Sequence, residues 1–418
     1  MTDQPTPAET RQDALGVGAA VLAFDIGGTD IKAALFDGSG RMLGLTRSPT
    51  PLRGAETSTA LLDLVQSRAR ALALAHPAIR PEAAGLVAPG IIDDERGIGV
   101  HSANLNWSNV PFRMLAEARL GLPVSFSHDV RAAGEAELSL SASQKDRTVV
   151  VIVIGTGIAA ALFIDGRAHV SGGYAGELGH SIIDPRGERC VCGARGCLET
   201  IASAGAIARR YEQQTNHGAF PHDGTGGGTG GARLVLARAA EGDPVAVRIW
   251  SEALDALALA IAQLTAVFAP DSVVIGGGLA QAGDTLFLPL RQRVDALLSF
   301  HRRPRIRPAL LGENAGLLGA ALNARSLLTS NPAAPNLVAP TRGAPTLPAP
   351  TALAPTAPAS PALTRTSPTP TMPTSTLPGP TLSAPTLPAP TLPAPTLPAP
   401  TTPTSTAPAS TPTVERTP

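Results

Sequence analysis

Val21-Leu22-Ala23-Phe24-Asp25-Ile26-Gly27-Gly28-Thr29, followed by Ile31 to Phe36, is the stretch whose reading decides the fold. Val21 to Asp25 is an apolar run, two glycines and a threonine interrupt it, and a second β-rich run continues to Asp37-Gly38-Ser39-Gly40. Such runs bounded by glycine read as strand, tight turn, strand. The turn can also bring consecutive backbone N–H groups up to a phosphate, because no Cβ bars the approach. Gly27, Gly28 and Thr29 fit that use, with Lys32 adding charge nearby. One such turn by itself is more often only a turn.

The theme recurs. Thr148 to Ile154 is a β-branched run, Gly155-Thr156-Gly157 a turn and Ile158 to Ile164 a return strand; later Ser272 to Ile275 leads into Gly276-Gly277-Gly278. Three such turns point to a nucleotide. They fit neither the GxxxxGK[ST] spacing of a P-loop nor a Rossmann fingerprint, whose glycines open a helix. Between them, Thr57 to Ala75 carries Leu61, Leu62, Val65, Ala69 and Leu72 at helical spacing. Ala84 to Ala88 reads as a strand that bends out at Pro89-Gly90, and Pro123 to Ser127 as another, entering His128-Asp129 and an Ala- and Glu-rich helix. A long apolar helix covers Leu254 to Phe268, and the glycine-rich Asn216 to Gly231 reads as a flexible surface loop. Two hairpins heading successive α/β units imply duplicated domains facing each other across a cleft.

Composition bounds the function. Lys plus Arg and Asp plus Glu are 33 each, so no global field draws the chain to nucleic acid or an anionic membrane. The apolar run from Val17 to Phe24 lacks the basic flank of a signal peptide, and Ala256 to Ala269 is too short to span a bilayer. From Ser330 onward the chain is Ala, Pro, Thr, Ser and Leu, with 25 of the 41 prolines. That composition cannot offset the entropy of ordering and predicts an extended, disordered tail, more a solvated appendage than a docking ligand.

The three cysteines, Cys190, Cys192 and Cys197, occupy eight consecutive residues shortly after His180. Three thiolates and an imidazole complete a tetrahedral shell for Zn²⁺, and a closed shell of four protein ligands means structure rather than catalysis. Redox chemistry through Cys-x-Cys stays open, without a thioredoxin-like surround.

Asp25-Ile26-Gly27-Gly28-Thr29, Glu177-Leu178-Gly179-His180 and Cys190-x-Cys192-Gly193-x-x-Gly196-Cys197-x-Glu199 together resemble the ROK group of repressors, open reading frames and sugar kinases. The resemblance runs from about Val21 to Leu327 and includes Asn104-Leu105-Asn106-Trp107 and Gly319-Ala320-Ala321. It implies an α/β actin-like ATPase fold of two domains, with sugar and ATP in the cleft. The expected organisation is a flexible N-terminus at 1–20, an N-terminal domain at 21–130, a C-terminal domain at 131–328 whose last helix packs back on the first, and the tail at 329–418.

By position, the resemblance makes Asp129 the base that takes the proton of the attacking hydroxyl, and Asp25 the residue that holds Mg²⁺ through water. Glu177, His180 and Glu199 would bind sugar hydroxyls, with His180 offering its other ring nitrogen to zinc. Gly90, Asn104 and His128 would line the sugar pocket. Gly155, Thr156 and Gly157 would wrap the ATP phosphates, and Gly276, Gly277 and Gly278 would lie against the adenosine.

The chain departs from glucose-type members by having His128 where they have Asn before the catalytic Asp, and by Arg131 where the family often carries Asn. Either changes how a neighbouring hydroxyl is read or is tolerated variation, and Arg131 either reinforces the change or faces solvent on the helix. Family members that repress transcription carry a winged helix-turn-helix ahead of the first turn; the 24 residues before Asp25 are too few for one. A sugar-binding protein without activity would be expected to lose Asp129 or the phosphate turn. The expectation is a cytoplasmic ATP-dependent kinase for glucose, or for N-acetylmannosamine, fructose or another hexose, needing ATP, Mg²⁺ and structural Zn²⁺, and forming a homodimer or homotetramer; the alternative is a ROK-type sugar-responsive transcriptional regulator without its DNA-binding domain.

Overall fold

The computed structural model describes residues 15–140, 146–215 and 229–329; the Pro-rich tail from Ser330 lies outside them. In chain order the first half holds β1 (Val21–Ile26), β2 (Asp30–Phe36), β3 (Met42–Pro49), α1 (Thr57–Ala75), β4 (Ala83–Ala88), β5 (Ile91–Asp93), β6 (Ile98–Ser102), β7 (Trp107–Val110), α2 (Phe112–Leu120), β8 (Val124–His128) and α3 (Asp129–Leu140). The second half holds β9 (Thr148–Ile154), β10 (Ile158–Ile164), β11 (Arg167–Ala168), α4 (Leu198–Ala202), α5 (Ala204–Thr215), α6 (Thr229–Ala240), α7 (Pro244–Phe268), β12 (Ser272–Gly276), α8 (Asp284–Leu297), β13 (Arg305–Pro308) and α9 (Ala315–Thr329).

The repeated theme of the sequence becomes two five-stranded sheets of one topology, β3-β2-β1-β4-β8 and β11-β10-β9-β12-β13. In each, the glycine turn joins an antiparallel hairpin, with Asp25 opposite Lys32 and Ile154 opposite Ile158. A third strand, β3 or β11, pairs antiparallel with the second strand of the hairpin, and the other two strands of each sheet run parallel to the first. A small sheet, β5-β6-β7, extends the first half and was not anticipated.

Alternation along β1 decides where its acid points. Leu22, Phe24 and Ile26 face the core shared with Leu61, Leu62 and Val65 of α1 and Phe112 of α2. Val21 and Ala23 face the opposite core, filled by Ala132 and Ala136 of α3 and Leu317, Ala320 and Ala321 of α9. By the two-residue period of a strand, Asp25 therefore comes up beneath α9. The last helix among the described residues thus covers the first sheet, and Arg325 near its end ties down Leu15 to Ala19 by donating to the carbonyls of Leu15, Gly16 and Ala19.

Two glycines let α9 lie so low. A Cβ on Gly85 of β4 would stand 1.8 Å from the Ala320 carbonyl oxygen, and one on Gly319 would stand 2.1 Å from that of Ala132. The return to the first sheet is anchored by Glu137 of α3, whose buried carboxylate accepts the Leu310 and Leu311 N–H groups at 2.7 Å each.

The long helix starts at Pro244, ten residues before its expected start, with Asp243 capping the N–H groups of Val245 and Ala246. The expected Asn216 to Gly231 loop falls short at its far end, because α6 begins at Thr229; Ala232 and Val235 pack into the second core and draw the preceding glycines into the helix. Residues 216–228 lie outside the described set. Among the described residues no helix is long and apolar enough to cross a membrane.

Gly319→Ala should cost about 2 kcal/mol or more in urea unfolding, since the added methyl must force α3 and α9 apart. Gly28→Ala, whose Cβ would meet nothing within 4 Å, should change stability by less than about 0.5 kcal/mol.

Candidate active site

The first phosphate-type turn is braced from behind and open in front. Gly27 N–H donates to the Asp30 carbonyl at 2.9 Å, the Thr50 hydroxyl donates to the Gly27 carbonyl at 2.7 Å, and Thr50 N–H donates to the Thr29 carbonyl at 2.9 Å. Gly28 and Thr29 are exposed. Behind the turn, Lys32 Nζ lies 3.7 Å from Asp25 Oδ2 and donates to the Glu313 carbonyl at the start of α9. Gly316 of α9 sits directly over the carboxylate, 3.0 Å from where its Cβ would be.

Burial pushes Asp25 up to about 6, with Lys32 opposing and the negative charges of Asp129 and Asp30 adding to the rise. Asp129, the first residue of α3, is also pushed up to about 6 by burial, against the Val130 N–H that donates to its Oδ1 at 2.7 Å and the Arg131 charge. The ends of β1 and β8 thus bring the two acids close enough to feel each other. His128, next to Asp129 with Nε2 3.4 Å from Oδ1, is held down at about 4 by burial and then by Arg131, while Glu177 and Asp94 pull the other way. It is a neutral imidazole at physiological pH. Its Nδ1 is buried without a hydrogen-bond partner.

Across from these, His180 Nε2 is 3.9 Å from Glu177 Oε2 and its Nδ1 is 3.5 Å from Cys190 Sγ. The two nitrogens of one ring therefore face two different environments, a thiol on one side and a carboxylate on the other. Cys192 and Cys197 sulfurs are 3.6 Å apart, and one donor atom from each of His180, Cys190, Cys192 and Cys197 lies within 4.8 Å of every other. Ligand atoms about 2.3 Å from a common zinc would stand about 3.7 Å apart, so the spacing fits the ion. Burial, and then the neighbouring thiols, push Cys197 up to about 12; three thiolates this close need a cation to be stable.

Glu199 does something the sequence did not suggest. Its Oε2 accepts the Ile158 N–H at 2.8 Å and blocks the space where a Gly157 Cβ would go, at 2.4 Å. Ala204 N–H holds the Gly155 carbonyl at 2.9 Å, and Gly205 packs on Thr156. The second turn is thus gripped by the helices that follow Cys197, with Gly155 itself open. Gly277, at φ +84°, packs on the end of β9, and Gly278 lines a cavity of about 260 Å³ with Ala204, Ala232, Leu236, Leu279 and Ala282, closed by Arg233 and Gln281. These lining residues carry no motif, and only the adjoining glycines marked the place. Gly90, at φ +118°, bends against His101 and Ser102 of β6, and Asn104 is exposed in the β6–β7 turn. Arg131 does not face solvent: it is fully buried on Asp94.

Twin sheets of equal strand order, each headed by a glycine turn, define an α/β protein of the actin-like ATPase fold. Residues 21–326 match the ROK family model, and the chain belongs to the ROK family. It is 33% identical over 319 residues to a glucokinase of Streptomyces coelicolor, covering 73% of this chain and 97% of that protein. An N-acetylmannosamine kinase of Salmonella typhimurium is also 33% identical, over 311 residues, 73% of this chain and 98% of that one. The crystal structure of a ROK family glucokinase from Streptomyces griseus in complex with glucose and AMPPNP superposes with a TM-score of 0.62 at 30% identity, covering 73% of this chain and 99% of that chain.

Protein purified without added metal should carry about one zinc per chain, the content of a single four-ligand site. Cys197→Ser should lose it by elemental analysis; zinc-free wild-type protein with full thermal stability would contradict the site.

Proposed function

We propose that this ATP-dependent sugar kinase transfers the γ-phosphoryl group of ATP to a hydroxyl of a hexose, with glucose as first substrate. The observation that carries the reading is the meeting of Asp25, Asp129 and His128 at the ends of β1 and β8, with Glu177 within electrostatic reach of His128 and His180 3.9 Å from Glu177.

In this reading, Asp129 accepts the proton of the attacking hydroxyl and aims its oxygen at phosphorus; most of the rate comes from position and charge. Above about 6 Asp129 is ionised and can serve as base. Glu177 and the Nε2 of His180 hold neighbouring sugar hydroxyls, and Gly90, Asn104 and His128 complete the sugar's surroundings. Gly27 to Thr29 and Gly155 to Gly157 offer N–H groups to the triphosphate, Lys32 adds positive charge, and the cavity beside Gly276 to Gly278 takes the nucleoside. One oxygen of Glu199 is already committed to Ile158 N–H, so Glu199 reaches the sugar only with the other.

Asp25 fits a magnesium role: a hard carboxylate whose acidity is suppressed by burial and by other acids, and which gains from a cation. When bound, Mg²⁺ neutralises charge on the β and γ oxygens. His180, Cys190, Cys192 and Cys197 would hold zinc, which fixes the imidazole's tautomer and direction. A cytoplasmic location and a homodimer or homotetramer come with the proposal from the family resemblance. The similarity to an N-acetylmannosamine kinase supports a second reading, in which that amino sugar is preferred and His128 accommodates the change.

Coupled ADP release over a panel of glucose, N-acetylmannosamine, mannose and fructose tests the proposal; no sugar-dependent turnover with Mg-ATP would refute it. Asp129→Asn should lower kcat by about 10²- to 10⁴-fold with sugar affinity retained. In the wild type, kcat/KM should rise as pH climbs through about 6, because Asp25 and Asp129 ionise there; an acid limb near pH 4 would contradict the buried cleft.

A further inference from the structure

Asp94 is the centre of a polar cluster that the transfer reaction, as described, leaves unused. Its Oδ2 accepts the Ser127 hydroxyl at 2.7 Å and Arg131 Nε at 3.3 Å, while Oδ1 accepts a terminal Arg131 nitrogen at 2.5 Å. The same nitrogen donates to the Ile92 carbonyl at 3.0 Å. The Arg131 side chain is 2% exposed and that of Asp94 26%, so the guanidinium is held out of water while the carboxylate that grips it keeps one side open. Ser127 immediately precedes His128, and Arg131 stands two residues beyond Asp129. One carboxylate therefore grips the chain on both sides of the His128-Asp129 dipeptide. Asp94 in turn directly follows β5, the strand that leaves the Pro89-Gly90 bend.

We infer that Asp94, Ser127 and Arg131 form a clamp that positions Asp129, and His128 with it, over the reacting sugar hydroxyl; this rests on the phosphoryl-transfer reading above. A planar guanidinium held at two of its nitrogens restrains rotation of the first turn of α3 in a way a single ammonium cannot. The acid needs such restraint. Its carboxylate is held locally by the backbone N–H groups of Val130 and of Asp129 itself and by the longer approach of His128. Misplacement of a base by about 1 Å can cost a hundredfold in rate.

Stability is a weaker reason for the pair, since burying the guanidinium and part of the carboxylate costs about as much as their attraction returns. The clamp also joins the base to the segment that lines the sugar, so both are set from one carboxylate. Glu135, one turn along α3 from Arg131, adds negative charge to the same cluster, and burial raises its pKa.

The test uses Arg131→Lys, Asp94→Asn and Ser127→Ala in the full chain, with kcat and KM measured per folded enzyme. Arg131→Lys and Asp94→Asn should each lower kcat by about tenfold or more while both substrate KM values stay within about threefold, and Ser127→Ala should lower it about threefold. The variant carrying both Arg131→Lys and Asp94→Asn should be no slower than the slower single one, as expected of a unit. Ser127→Ala keeps the ion pair and decides the matter if the charge variants fail to fold. Values of kcat within about twofold of wild type in the folded variants, or equal rises in KM with kcat unchanged, would overturn the clamp and leave the kinase reading intact. A wild type inactive on every sugar would remove both.

Discussion

The backbone of α9 rests directly on β4, with the Ala320 carbonyl against Gly85 and Gly319 against the Ala132 carbonyl, and the active cleft depends on that contact. Any side chain at either glycine would lift the helix. Because α9 lies this low, its first turn reaches Asp25 at the end of β1, and α3 beside it delivers Asp129 from the end of β8. Close backbone approach by glycine thus sets the distance between two carboxylates far apart in sequence.

Burial then gives the cleft its chemistry. Both acids are raised to about 6 and His128 is lowered to about 4, so near neutral pH the first half presents ionised carboxylates beside a neutral imidazole. On the facing side, the cysteine loop leads straight into α4, whose Glu199 supports the Gly155-Thr156-Gly157 turn. One short segment from His180 to Gly205 therefore carries the imidazole proposed to hold the sugar at one end and buttresses the second glycine turn at the other. Loss of the cysteine cluster's order would be felt at both.

Much of this was legible in the residues. The hairpins, their glycine turns and α1 follow from apolar runs, glycine punctuation and three-to-four spacing, all local signals. His180 and the three cysteines declared themselves by clustering. What stayed hidden depends on contacts between distant segments: the partner of Arg131 is thirty-seven positions away at Asp94, and nothing in the local pattern of α3 marks that position as buried. Glu199 was placed at the sugar by resemblance, but its bond to Ile158 N–H arises from the packing of α4 on the second hairpin. The cavity at Gly278 is lined by alanines and leucines that serve equally as core. Asp243-Pro244, an N-terminal signal, starts α7 ten residues ahead of the apolar run that marks the helix in the sequence.

The most direct measurement is a crystal structure of this chain with glucose and a nonhydrolysable ATP analogue. The account requires a single sugar in hydrogen-bond contact with both the Asp129 carboxylate and the Nε2 of His180, and the triphosphate against Gly28 and Gly155. A sugar bound away from either side chain, or a nucleotide outside the two glycine turns, would contradict it.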